Sequence, residues 1–337
     1  MLGDLSLAVI GCGAISESYY FPVLGGDAKA REKVWLIDPS AERREKAAAQ
    51  FGFRPDQLIS NISELPTTVT AAVNATPSHL HLATTIPLID RGVSVIVEKP
   101  LAETAEDARQ LVAAAAGRCV LTANHYRRLC PSYSLARDLI AGGELGEISR
   151  ISWAEGQKFE WPTQSGFYFR RPWKTGRPRG AFLDIGVHVL DVVSWWLGEA
   201  PSVRSASMDG YGGPECFARA ALTAGGAEID LAISFHSKLA NAYTVVGTKG
   251  ELRGSVTDFS TIEVKRGSEG WRPMTGPGPS GWTDFARRLL TNFAAAVEGR
   301  ETLLIDPSSV VTPLAAVDAI YEAATSPMPS YYREWAA

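Results

Sequence analysis

Cysteine is scarce in this sequence, and the four present do not pair by spacing. Cys12, Cys119, Cys130 and Cys216 form no CxxC, and two of them lie in apolar, strand-like stretches. Buried reduced thiols in a cytoplasmic protein fit them better than disulfides or zinc. No stretch approaches the roughly 20 continuous apolar residues of a membrane span. The opening "MLGDLSLAVIGCG" carries no basic leader and runs straight into a strand, so no signal peptide is expected. Neither sign of charge dominates: 33 Lys and Arg against 37 Asp and Glu leave a formal −4. That gives no electrostatic footing for nucleic acid or an anionic membrane as partner. Internal repeats and low-complexity tracts are missing too.

What remains has the composition of a globular protein, 45 % apolar and 21 % charged. At 337 residues two domains are expected, divided here as 1–125 and 126–337. The first third alternates short apolar strands with helical segments. "LSLAVI", "KVWLI", "TAAVNA", "VSVIVE" and "RCVLTA" are separated by "PSAERREKAAAQF", "SHLHLATTIPLIDRG" and "TAEDARQLVAAAAG". The last of these opens with Thr104 three residues before Asp107, close to a capping box. Alternation with all-apolar strands predicts a doubly wound parallel sheet covered on both faces, an α/β nucleotide-binding domain. After Pro131 the pattern changes. A conspicuous helix, "DIGVHVLDVVSWWLG", precedes strand candidates "ECFARAALTA", "AEIDLAISFHS", "NAYTVVGTKG" and "TIEVKR". Their apolar–polar alternation predicts an antiparallel sheet with one open face. "GSEGWRPMTGPGPSG" reads as a loop, and two helices follow it.

"AVIGCGAISES" puts Gly11 and Gly13 between a strand and a helix. Gly11 permits the tight turn, Gly13 lets backbone approach a pyrophosphate, and the N–H groups of Ala14 and Ile15 then face that anion. Ser16 replaces the third glycine of GxGxxG. The second strand ends in Asp38, roughly 20 residues on, where an acid accepts ribose hydroxyls and repels a 2′-phosphate. NAD is therefore expected, with NADP as the alternative because Arg43 and Arg44 lie nearby. Asp38 also reads as a cap for the helix that follows it.

"VSVIVEKPLAE" is apolar on both faces yet ends in Glu98, Lys99 and Pro100. Ligands of open parallel sheets lie beyond the carboxyl ends of the strands, where such polar residues find water, cofactor and substrate. This strand is expected two places along from the one ending in "VNATPSH". Pro100 restricts Lys99 to an extended conformation. Its ammonium, beside an oxidised nicotinamide, would have a lowered pKa and could polarise a carbonyl. A solvated surface turn is the plainer reading. In the long helix, Asp184, His188 and Asp191 fall at i, i+4 and i+7. An imidazole oriented by a carboxylate one turn away is a general acid–base; the plainer reading makes Asp184 the N-cap and His188 a core residue. No second His–acid cluster supports a metal site.

Together "VIGCGAIS", "NATPSHLHL", "VIVEKPLAET" and "GAFLDIGVHVLDVVSWWLG" resemble the Gfo/Idh/MocA family of glucose–fructose oxidoreductase and inositol dehydrogenase. Also matching are "NHYRRLCPSY", "GELGEISRISW" and "FAAAVEGRETLLI", so the resemblance runs through nearly the whole chain. It implies an N-terminal Rossmann domain and a C-terminal α/β substrate domain whose large, mostly antiparallel open sheet forms homodimer or homotetramer interfaces. It assigns catalysis to Lys99, Asp184 and His188. The histidine would accept the hydroxyl proton while lysine and aspartate position the hydroxyl. Cofactor contacts would be Gly11, Gly13, Ala14, Ile15, Asp38, Thr76, Pro77, His81, Glu98, Lys99 and Trp173. Asn124 and Tyr126 would lie on the substrate side with the catalytic three, and Trp173 with Lys174 near the nicotinamide. Ser16 and the long arginine-bearing loop before Asp184 depart from the family pattern.

The activity so implied is hydride transfer between NAD and a secondary hydroxyl, or the matching ketone, of a sugar, inositol or related cyclic polyol. Redox-neutral chemistry with retained NAD, by epimerisation, elimination or glycosidic cleavage through a keto intermediate, would use the same three residues. A non-catalytic sugar sensor would be expected to lack them. The loop Tyr168 to Gly180 holds Arg170, Arg171, Lys174, Arg177 and Arg179, which reads as a solvated or cofactor-covering flap, or as a site for an anionic substrate group.

Overall fold

The computed structural model describes residues 2–3, 5–158, 174–176, 178–209 and 213–325. The chain folds as two compact units. The first holds the chain up to Leu129 together with Ser280–Val311; the second holds the described residues of 130–279 and 312–325.

In the first unit, strands β1 (Leu7–Ile10), β2 (Val34–Ile37), β3 (Leu58–Ile59), β4 (Ala71–Asn74), β5 (Ser94–Val97) and β6 (Leu121–Ala123) form a parallel sheet in the order β3-β2-β1-β4-β5-β6. This is the doubly wound nucleotide-binding order. Every residue of β1, β4 and β5 is buried, which is why these strands read as unbroken apolar runs. The winding direction reverses between β1 and β4, leaving a crevice at their carboxyl ends. The strand before Glu98 is not two places from β4 but its direct neighbour, with Asn74 opposite Val97. The two-residue β3 has no periodicity to betray it in the sequence.

The longer helices of this unit are α1 (residues 14–25), α2 (Ala41–Phe51), α3 (His81–Asp90), α4 (Ala105–Ala115) and, from far along the chain, α7 (Trp282–Val297). Thr104 caps α4 as expected, its hydroxyl accepting from Asp107 N at 3.2 Å.

The second unit has a nine-stranded sheet among its described residues. Its strands are β7 (Ile148–Gly156), β8 (Ser202–Met208), β9 (Phe217–Ala224), β10 (Ala227–Ser234), β11 (Ala242–Gly247), β12 (Gly250–Ser255), β13 (Thr261–Arg266), β14 (Arg272–Thr275) and β15 (Ala324–Thr325). They run in the order β14-β13-β12-β11-β7-β10-β9-β8-β15. Only β7–β10 and β8–β15 pair in parallel. The stretch "GSEGWRPMTGPGPSG" is not all loop: its Arg272–Thr275 adds β14 beside β13, with Pro273 opposite Glu263. Proline is tolerated because β14 is an edge strand, and the pairing, not local propensity, makes it a strand.

One face of this sheet is covered by α5 (Pro131–Ala141) and α6 (residues 181–197). Tyr133 and Trp196 from these helices meet Trp153 and Tyr243 from the strands, Trp153 and Tyr243 stacking at 4.7 Å. Tyr133 also accepts a bond from Trp196 Nε1 on its carbonyl at 3.0 Å. Helix α8 (Val311–Ala323) precedes β15.

Candidate active site

β1 delivers the chain to Gly11 with φ +97°, where a Cβ would stand 2.6 Å from the Ala75 carbonyl oxygen. Only glycine fits there. Two residues on, nothing lies within 4 Å of the place a Cβ on Gly13 would take, the open space a pyrophosphate requires. Helix α1 starts at Ala14, so Ala14 and Ile15 belong to its N-terminal turn, whose N–H groups lack intrahelical partners. Ser16 is fully buried and donates its hydroxyl to the Gly11 carbonyl at 2.6 Å. The residue that broke the glycine motif therefore ties the helix to the turn. It also opens a π-helical turn, Ser16–Tyr20, a distortion found mostly at functional sites.

Asp38 is buried at the end of β2. Its carboxylate accepts from Cys12 N and from Ser40 N, each at 2.9 Å. Arg43 Nη1 stands 4.0 Å from it, and Arg44 donates to the Asp38 carbonyl. The cap of α2 is Ser40, which accepts from Arg43 N at 3.3 Å, so Asp38 links the glycine turn to β2 rather than closing the helix. Burial, reinforced by Asp38, pushes the Cys12 thiol up to about 12, so it stays protonated.

At the end of β4 the buried Asn74 shapes the next loop, accepting from Thr76 N at 3.2 Å and Thr76 Oγ1 at 2.7 Å. Beside Thr76 and Pro77, the His81 ring is 1 % exposed. Its Nδ1 lies 2.8 Å from the Pro100 carbonyl and its Nε2 2.8 Å from the Thr76 carbonyl. Burial lowers its pKa to about 4, against the pull of those two carbonyls. His81 thus ties the Thr76–Pro77 loop to the turn after β5, where the Lys99–Pro100 peptide is cis.

The carboxylate that ends β5 is not stranded. Glu98 Oε1 accepts from Tyr20 OH and Asn124 Nδ2, both at 2.7 Å, and Oε2 accepts from Lys99 N at 3.2 Å. Burial raises the Glu98 pKa and these donors pull it back. Burial and the Glu98 charge drive the Tyr20 hydroxyl well above its usual value. Asn124 is itself buried between Glu98 and Tyr19, whose hydroxyl lies 3.4 Å from Asn124 Oδ1. Lys99 is half-buried at the carboxyl end of the sheet. Trp282 of α7 meets Tyr19 and Tyr126 edge-on at 4.9 Å each, and Phe285 stacks on Tyr126 at 6.1 Å.

In the second unit, α6 begins at Ala181, three residues before Asp184, so Asp184 is not its N-cap. A π turn, Phe182–Gly186, holds Asp184, and the α-helical part that follows, Val187–Leu197, holds His188. His188 is 7 % exposed, one turn from Asp184, and Asp191 is wholly buried. Trp173, Arg170, Arg171 and Arg177 lie outside the described residues, and Lys174 is exposed. Arg179 is not on a solvated flap: it is 5 % exposed, pairs with Asp318 at 2.6 Å and sits over the Tyr321 ring at 4.7 Å.

Two domain models of one family match this chain: an oxidoreductase-family, NAD-binding Rossmann fold over residues 5–125 and a GFO/IDH/MocA C-terminal domain over residues 133–253. The chain belongs to the GFO/IDH/MocA oxidoreductase family. A 1,5-anhydro-D-fructose reductase of Ensifer adhaerens is 29 % identical over 307 residues, 86 % of this chain and 87 % of the relative. The fold is shared with a 3-ketoreductase from Actinomadura kijaniata, solved with NADP and TDP-benzene, at TM-score 0.80 and 21 % identity over 96 % of this chain and 99 % of that one. It is shared too with a levoglucosan dehydrogenase solved with NADH and levoglucosan, at TM-score 0.78 and 21 % identity over 95 % and 96 %. Within the GFO/IDH/MocA frame, the first unit is the NAD-binding domain, and its glycine turn and open Gly13 fit that cofactor. Tyr20, Asn74 and Trp282 escaped sequence reasoning. Asn74 lies inside a quoted motif and Tyr20 two residues past one, but both act through contacts that no spacing reveals, and Trp282 comes from a helix that begins 159 residues after the end of β6.

Proposed function

We propose that this oxidoreductase moves hydride between NAD and a secondary hydroxyl, or the matching ketone, of a sugar, inositol or related cyclic polyol. NADP is the alternative cofactor. The observations that carry this reading are that Lys99 lies in the bend just beyond the carboxyl end of β5, and that Asp184 and His188 stand on the first two turns of α6. The bound nicotinamide supplies the hydride acceptor or donor. His188 takes the hydroxyl proton in oxidation and returns it in reduction, Asp184 orients that imidazole, and the Lys99 ammonium holds the substrate oxygen. Gly11, Gly13, Ala14 and Ile15 receive the pyrophosphate, and Asp38 receives the ribose. Thr76, Pro77, Glu98 and Trp173 complete the cofactor contacts, with Asn124 and Tyr126 toward the substrate.

The test is an NADH-absorbance assay over inositols, aldoses, amino sugars and nucleotide sugars. His188→Ala and Lys99→Ala are expected to lower turnover about 100-fold or more while leaving cofactor affinity nearly unchanged. Equal loss of cofactor binding would overturn the assigned roles.

We further infer a cytoplasmic homodimer or homotetramer built through the open face of the second unit's sheet. None of the four cysteines is in a disulfide, which supports a reducing compartment. The open face carries a row of small residues lining a shallow concavity. Ala242, Ala154 and Ala232 lie side by side in register across β11, β7 and β10, a surface a second copy can approach closely.

A further inference from the structure

Glu215 is a buried carboxylate, 3 % exposed, that the proposed chemistry does not use. An α-helical start leaves its first N–H groups without intrahelical partners. In α6 the first intrahelical bond runs from Asp184 N to the Gly180 carbonyl at 3.1 Å, so Gly180, Ala181, Phe182 and Leu183 need outside acceptors. No local side chain supplies them. Gly180 N donates to Glu215 Oε2 at 2.9 Å, Ala181 N to the Glu215 carbonyl at 3.0 Å, and Phe182 N to Glu215 Oε1 at 2.8 Å. Leu183 N donates to Tyr321 OH at 3.1 Å, and Gly180 N shares that hydroxyl at 3.2 Å. Tyr321 in turn donates to Glu215 Oε1 at 2.6 Å. The hydroxyl's donor and both acceptor positions are all used.

The approach is tight as well as complete. A Cβ on Gly180 would come 2.2 Å from the Glu215 carbonyl oxygen, so residue 180 is glycine to admit that backbone. Arg179, paired with Asp318 and lying over the Tyr321 ring, fixes the tyrosine from the other side. Negative charge at a helix N-terminus is favoured by the helix dipole. The cap is thus assembled from two segments 35 and 141 residues away from Gly180, and what it closes is the π turn that holds Asp184, one turn before His188.

We propose that Glu215 and Tyr321 are positioning residues for the acid–base pair, fixing the start of α6 so that Asp184 and His188 keep their register. This rests on the proposed roles of those two residues. Neither Glu215 nor Tyr321 touches substrate or cofactor in this scheme. Gln at 215 would keep the shape while turning an amide N–H₂ toward donors, and Phe at 321 removes a single oxygen.

The experiment measures the full-length protein with its best substrate from the panel, kcat being expressed per folded molecule. For Glu215→Gln and Tyr321→Phe, kcat is expected to fall about 10- to 100-fold, the scale of a small misplacement of reacting groups. NADH affinity by fluorescence should stay within two-fold of wild type, roughly unchanged on a free-energy scale. The limb of the kcat–pH profile that disappears in His188→Ala should shift in both variants. Wild-type kcat and an unshifted limb in folded variants would overturn the proposal, and so would failure of both to fold, which would make the cap a stability element only. An active wild type whose turnover is untouched by His188→Ala would instead sink the underlying reading of the site.

Discussion

At the scale of single residues, the proposed preference for NAD rests on Asp38. Its carboxylate is held by two backbone N–H groups, and Arg43 waits 4.0 Å away. Removing the acid unmasks an arginine suited to phosphate. Asp38→Ser is expected to shift the ratio of kcat/KM for NADP over NAD upward by about ten-fold or more, equivalent to ~1.4 kcal/mol, as read from paired initial-rate measurements. An unchanged ratio would show that Asp38 serves only the turn. Glu98 is a comparable case, since a carboxylate at a strand end is tolerable there because Tyr20 and Asn124 both donate to it. Neither partner could be named from the order Glu-Lys-Pro, because hydrogen bonds across 78 and 26 residues leave no mark on spacing.

At the scale of elements, His81 couples the loop after β4 to the turn after β5, and the coupling has a pH signature. Its imidazole takes a proton near 6.5 in an unfolded chain but only near 4 in the folded protein. Between those values the unfolded state binds more protons. Stability therefore falls on acidification through that window, by roughly 1.4 kcal/mol per pH unit for this group, and is independent of it above 6.5. Melting temperatures measured from pH 7 to 4.5 should drop less steeply in His81→Gln than in wild type, even though the variant starts lower. Parallel slopes would refute the assignment. The helix starts make a related point. Thr104 is a cap that sequence announces, because the bond is local. The cap of α6 comes from Glu215 and Tyr321, so the N-cap position is Gly180 and Asp184 lies four residues past it.

At the scale of the molecule, the open face of the nine-stranded sheet is the surface to test. Ala232→Arg would set a large charged side chain in the row of alanines, and light scattering is expected to report a smaller particle than wild type, with the fold intact by circular dichroism. An unchanged mass would remove this face from the assembly. The sequence by itself determined the parallel sheet, the glycine turn and the helix carrying His188, because apolar periodicity, glycine and local caps are properties of neighbouring residues. It also carried the family. The tertiary structure alone decided that β4 and β5 are neighbours, that Arg272–Thr275 is an edge strand, and that α7 joins the first unit. It decided too what holds Glu98 and the start of α6. Apart from the local β13–β14 hairpin, those are long-range pairings, formed where chain segments distant in sequence meet, and a buried polar group takes its partner from whichever segment the fold brings within reach.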